Sequence, residues 1–165
     1  MARRQRIDRF LIRVPPERAI ELAADPSRFP EFNPLVVVPD GGRVEEVGNV
    51  YHQVMGLGPI RLSTRWETTR VDPPNLAERP RPALPWTTVE IGDLPLVGRW
   101  ISTSRYEAVR AGTVATHHLD YGVPDGPFGT VVDLVLMRPL LTVAIGLLGR
   151  RLVRWIESVE DAPAA

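Results

Sequence analysis

The chain has 165 residues, 44% hydrophobic and 24% charged, enough for one domain to bury a sizeable core without staples. Twenty basic and twenty acidic residues cancel, so no overall field favours nucleic acid or an anionic membrane. Every basic residue is arginine and there is no cysteine, which excludes lysine Schiff bases, a P-loop lysine, thiolate nucleophiles, disulfides and sulfur-ligated metals, and fits a cytoplasmic location.

A single domain is expected over 1–165, with residues 1–5 and 159–165 as flexible ends. The amino-terminal segment is charged but lacks the apolar run of a signal peptide. Arg3, Arg4, Arg6, Arg9 and Arg13 interleave with Ile7, Phe10, Leu11, Ile12 and Val14, which predicts a strand over 6–14 with a solvated arginine face. Pro15-Pro16-Glu17-Arg18 then starts a helix, since proline is tolerated in a first turn and an acid suits the dipole there. Asp25-Pro26 stops it, and the stretch from Ser27 to Pro34 reads as a second short helix.

Val36-Val37-Val38 opens a strand that turns at Asp40-Gly41-Gly42, and residues 50–57 and 60–71 form a hairpin around Gly56-Leu57-Gly58-Pro59. In its second arm Ile60, Leu62, Thr64, Trp66 and Thr68 alternate with Arg61, Ser63, Arg65, Glu67 and Thr69, so the first set is expected inward. The stretch to Pro85 is proline-dense and allows at most an edge strand at Leu76–Arg79. Another strand follows over Trp86–Ile91, then a last hairpin of 98–110 and 113–123 across Ala111-Gly112, with Trp100, Ser102, Ser104 and Tyr106 in one phase. A long apolar helix is expected from about Phe128 to Glu157, bent at Pro139. Leu141, Ile145, Leu148, Leu152 and Trp155 recur in it at steps of three and four. Its longest charge-free stretch, Pro139 to Gly149, is 11 residues, short of the roughly 18–20 a membrane span requires, so it reads as a buried or cavity-lining helix and no integral span is expected.

Several segments in this order carry a resemblance. They are Val14-Pro15-Pro16-Glu17-Arg18-Ala19-Ile20; Asp25 to Pro34; Val71-Asp72-Pro73-Pro74; Gly112-Thr113-Val114 with Asp120-Tyr121; and Leu152-Val153-Arg154-Trp155-Ile156-Glu157. Together they cover most of a chain that resembles the START/Bet v 1-like (SRPBCC) superfamily, and within it the polyketide cyclase/dehydrase and lipid-transport group. The resemblance implies an α+β helix-grip fold: a curved antiparallel sheet wrapped around a long C-terminal helix, with two short helices after the first strand. The proline-dense segment after Val71 and the stretch from Trp86 to Leu96 depart from the pattern.

The function expected from this is binding of a hydrophobic or aromatic small molecule, lipid- or polyketide-like, in a cavity between sheet and helix. Trp66, Trp100, Tyr106, Leu62, Leu141, Ile145 and Leu148 are expected to line it, with Trp86 and Trp155 as further cavity or core residues. One alternative is an enzyme of the cyclase/dehydrase kind, which needs no nucleophile but one or two acid–base groups in reach of the cavity. Tyr51 and Arg65 are suitable types, and His52, Tyr106 and His118 are the catalytic candidates. Polar groups of perturbed pKa converging inside would favour the enzyme, an apolar lining the carrier. A second alternative is a protein-interaction module using an exposed part of the helix. His117 and His118 are adjacent, point to opposite faces of a strand and cannot jointly chelate one ion, so neither metal nor cofactor is expected. No Gly-x-Ser-x-Gly elbow supports a Ser-His-Asp site. The oligomeric state is left open.

Overall fold

A computed structural model describes residues 1–33, 36–41, 44, 46–57, 60–72, 86–94 and 98–160, with backbone alone for 37–41, 55–57, 60, 62, 93–94 and 98. Among the described residues seven strands form one antiparallel sheet in the order β1-β7-β6-β5-β4-β3-β2. They are β1 Ala2–Ile12, β2 Val36–Gly41, β3 Val50–Leu57, β4 Ile60–Asp72, β5 Trp86–Leu94, β6 Gly98–Val109 and β7 Gly112–Val123. With the helices described below, this is the α+β helix-grip fold, its curved sheet gripping a long C-terminal helix. The edge strand expected at Leu76–Arg79 lies outside the described residues.

Residues 1–5 are not a flexible end. β1 starts at Ala2 and pairs with β7 from Ala2↔Val123 to Ile12↔Thr113, and the terminal ammonium lies 2.6 Å from Asp125. Its side chains alternate strictly between the two faces, so that of its four arginines Arg3 and Arg9 are exposed while Arg4 and Arg6 are half-buried on the other face. At the other end, helix continues to Glu160 rather than fraying at 159, and residues 161–165 are outside the described set.

α1 (Pro16–Ala23) has Pro16 and Glu17 in its first turn and buries Ala19, Ile20 and Leu22. Asp25 accepts from the Ser27 amide (3.0 Å), starting a 3₁₀ turn over Pro26–Arg28, and α2 (Phe29–Phe32) follows directly. The tight turn plus one helical turn replaces the single helix expected from Ser27 to Pro34. β4 carries a bulge between Thr68 and Arg70, which resets its alternation so that Thr68 and Val71 both point inward. Gly112 has φ +130° in the β6–β7 turn, and a Cβ there would meet the Ile12 carbonyl oxygen, so the position requires glycine on both counts.

The terminal helix begins at Gly126. It runs as α3 (Gly126–Val132), a π-helical turn (Asp133–Met137) and α4 (Arg138–Glu160). The irregularity expected at Pro139 therefore falls one turn earlier. Proline lacks an N–H and crowds the carbonyl four residues back, and the wider turn, with the Arg138 amide bonded to the Asp133 carbonyl, relieves that crowding before Pro139 is reached. α4 packs against β1, α1 and α2. Gly149 is buried on Phe10, where any Cβ would run into the ring, and Trp155 joins α4 to α2 through Phe32 (5.0 Å between centroids), Glu31 (2.8 Å) and the Arg28 guanidinium (4.5 Å).

Candidate functional site

Strand register orders the inner face of the sheet into cross-strand rows. One row carries Tyr51, Trp66, Gly92 and Trp100. The next carries Thr68, Glu90, Ser102, Leu119 and Arg6. Then come Thr88, Ser104, His117 and Asp8, followed by Trp86, Tyr106, Ala115 and Phe10. Two polar rows thus lie between two aromatic ones. Trp66 crosses β5 at Gly92, where a Cβ would stand 2.7 Å from its ring, so the glycine makes room for the indole. Trp86 and Tyr106 lie 5.4 Å apart at the far end.

Glu90 is the centre of the polar rows. Its carboxyl is buried and accepts a 2.6 Å hydrogen bond from the Tyr51 hydroxyl. Burial pushes its pKa from 4.5 to about 7, against the lowering effect of that bond. Burial, and then the neighbouring Glu90, raise the pKa of Tyr106, and the same causes with the hydrogen bond hold Tyr51 well above its ordinary range. Ser104 Oγ is 3.3 Å from His117 Nδ1, and burial lowers the pKa of His117 to about 4. Asp8 faces His117 across the β1–β7 ladder, but both its oxygens are taken by Arg6 at 2.6 and 2.7 Å. The carboxylate that would orient His117 in a Ser-His-Asp site is already engaged. Two further inward atoms, Gln53 Oε1 and Trp100 Nε1, are buried without a hydrogen-bond partner.

A second polar centre fixes the helix. Asp133, in the π turn, is fully buried, accepts from Tyr121 (2.7 Å) and from Arg138 (3.0 Å), and has the Arg4 guanidinium at 3.2 Å. Each partner comes from a different element, so this acid locks the helix onto β1 and β7.

Among the residues expected at the site, Trp66, Trp100 and Tyr106 are on the inner face, Leu141 and Ile145 are buried on the helix, and Leu148 is half-buried. The Leu62 side chain is outside the described set. His52 and His118 are not part of the interior: His52 is exposed opposite Arg65, and His118 lies on the outer face, 3.7 Å from Asp120. Arg65 is outward too, paired with Glu67. In place of these two histidines the interior holds Glu90, Tyr51 and His117. An open depression of about 280 Å³ lined by Arg65, Glu67, Thr69, Ile91 and Arg99 lies on the outer face and is separate from the interior. No group of residues suited to hold a metal ion occurs among those described.

Similarity to known proteins agrees with this fold. No family model and no curated protein matches the sequence. Solved structures do match. Ara h 8.0201 superposes with a TM-score of 0.68 at 10% identity, covering 95% of this chain and 99% of its own. The di-domain ARO/CYC StfQ of the steffimycin biosynthetic pathway gives 0.73 at 14%, covering 97% of this chain and 52% of its own. The Zhui aromatase/cyclase from Streptomyces sp. R1128 gives 0.62 at 13%, covering 91% and 94%. The chain has the START/Bet v 1-like fold. At such identities the likeness speaks for the fold alone.

Proposed function

We propose that this chain is a single domain that binds a largely apolar, aromatic or lipid-like molecule bearing a carbonyl or hydroxyl group, held between the inner face of the sheet and the C-terminal helix. The observation that carries this reading is the pair of polar rows between Trp66/Trp100 and Trp86/Tyr106. Aromatic rows supply contact area for rings or chains. Trp100 Nε1 and Gln53 Oε1 supply a donor and an acceptor whose hydrogen-bonding capacity is unused, the arrangement expected where a few polar groups orient an apolar ligand. A cytoplasmic location is part of this proposal, and the lack of cysteine fits it.

Glu90 favours a second reading, catalysis of the cyclase/dehydrase kind. A buried carboxyl of pKa about 7 can both give and take a proton near neutrality, as enolisation or dehydration of a polyketone requires. Two of the structurally similar proteins, StfQ and Zhui, are aromatase/cyclases by name, which supports this second reading at the level of the fold alone.

Titration of tryptophan fluorescence with a panel of hydrophobic aromatics, polyketide-like ketones and fatty acids tests the proposal. Trp66→Leu or Trp100→Leu should weaken binding by about 1–3 kcal/mol. Glu90→Gln should leave binding within about tenfold if the group is an anchor, and abolish turnover while binding persists if it is catalytic. Failure of every panel member to bind sinks both readings.

A further inference from the structure

We propose that the outward face of the Gly126–Glu160 helix docks on the surface of an anionic lipid bilayer. Phe128, Val131, Leu134, Val135, Leu136 and Val143 are 53–72% exposed along one helical segment. So many large apolar side chains exposed along one helix of a chain in water point to a contact site. The π turn adds to it, since Leu134, Val135 and Leu136 are all exposed in succession and form an apolar wedge.

Charge selects the occupant. Between Asp125 and Glu157 the exposed charged side chains of the helix are Arg138, Arg150, Arg151 and Arg154; the acid of that stretch, Asp133, is buried and paired. Arg138 is held by Asp133, and the exposed acids Asp125 and Glu160 are confined to the two ends. The unpaired exposed charges along the strip are therefore Arg150, Arg151 and Arg154, complementary to a bilayer whose acyl boundary takes the apolar side chains and whose phosphates take the arginines. A second copy of the chain fits less well: a two-fold contact lays the patch on itself, and it holds no carboxylate to receive the arginines. The net charge of the whole chain is zero, so the attraction is local to this face.

The contact is peripheral. By length and composition Gly126–Glu160 could cross a membrane, with 22% of its most apolar stretch buried. Its inner side, however, packs Leu141, Ile145 and Gly149 into the core, and Asp133 ties it to β1 and β7. Leaving the sheet would expose that core. The face is distinct from the interior site, so this proposal stands or falls apart from the ligand-binding one.

Co-sedimentation of the full chain with phosphatidylcholine vesicles, with and without phosphatidylglycerol, is the test. The parent should bind the anionic vesicles and release with rising salt. Arg150→Glu and Arg151→Glu should each weaken binding by about fivefold or more, the loss expected per cation near such a surface. Val135→Asp should abolish binding while the melting temperature stays that of the parent. Absence of binding by the parent overturns the proposal. So does light scattering that shows a dimer dissolved by Val135→Asp, which would make the face an interface between copies.

Discussion

The inner face of the sheet and the outward face of the C-terminal helix reverse the usual partition of residues. Inside, Glu90, Thr68, Thr88 and Ser102 are buried in the middle of the sheet. Outside, Phe128 and Val135 are 70% and 72% exposed. A fold selected only for stability would exchange them, because a buried ionisable group costs free energy and exposed apolar area returns none. These two departures from the stability rule are the observations on which the ligand-binding and bilayer-docking proposals respectively rest. The inner surface lies on a curved sheet and is mixed in polarity; the outer is apolar.

The largest expected effect separates the two sides of the helix itself. Leu141→Asp puts an unpaired charge into the core and should cost about 3 kcal/mol or more, whereas Val135→Asp should change stability by about 0.5 kcal/mol or less. Urea unfolding of the two variants decides it. Equal losses would mean that the outward face is covered and the contrast is false.

Next in size is the Glu90 carboxyl. In the unfolded chain it loses its proton near pH 4.5, in the folded one near 7, so between these values the folded state holds the extra proton and stability falls as pH rises. The penalty is complete above about pH 7 and amounts to about 3 kcal/mol. Glu90→Gln should remove this limb and be more stable than the parent at alkaline pH. His117 has the opposite sign: its folded pKa of about 4 lies below the ordinary 6.5, so its contribution is intact above 6.5 and lost as pH falls towards 4. The parent should therefore show a shallow slope between the two, and the Gln variant a steep acid limb. A parent and variant with superimposable pH profiles would show that Glu90 is not buried as the register requires.

A smaller change tests the aromatic row. Gly92→Ala brings a methyl group to 2.7 Å from the Trp66 ring and should cost about 1–3 kcal/mol, recovered in part by adding Trp66→Leu. Additive losses in the double variant would place the indole elsewhere.

The order of elements was legible because each signal is local. Proline at the start of α1, alternation along β4 and β6 and an apolar closing helix follow from periods of two and 3.6 that need no tertiary information. The bands of the inner face were half legible. Trp66, Trp100 and Tyr106 share a phase with apolar or small neighbours, and the structure keeps it. β5 was ambiguous, since Thr87, Val89 and Ile91 look more like a core set than Trp86, Thr88 and Glu90 do, and only pairing with β4 and β6 decides between them. The exposed side of the helix was illegible for another reason: apolar composition announces burial, and nothing in a chain says which apolar face lacks a partner.

The smallest expected effect concerns the two outer histidines. His118 is in register with Ile7 and Thr103, which puts it on the face opposite Glu90, and its Nε2 is 3.7 Å from Asp120 Oδ1, too far for a direct hydrogen bond. His52 is exposed on β3. His52→Ala and His118→Ala should each alter stability by about 0.5 kcal/mol or less and leave ligand titrations unchanged. His117→Gln, one residue away on β7, should instead leave the Glu90 limb uncompensated, so that stability falls as pH rises between about 4.5 and 7. That contrast depends on β7 register alone, because a one-residue slip would exchange the faces of both histidines and carry Leu119 and Tyr121 outward with His117. If His118→Ala disturbs ligand binding and His117→Gln does not, the inner rows are misassigned, and the site built on Glu90 goes with them.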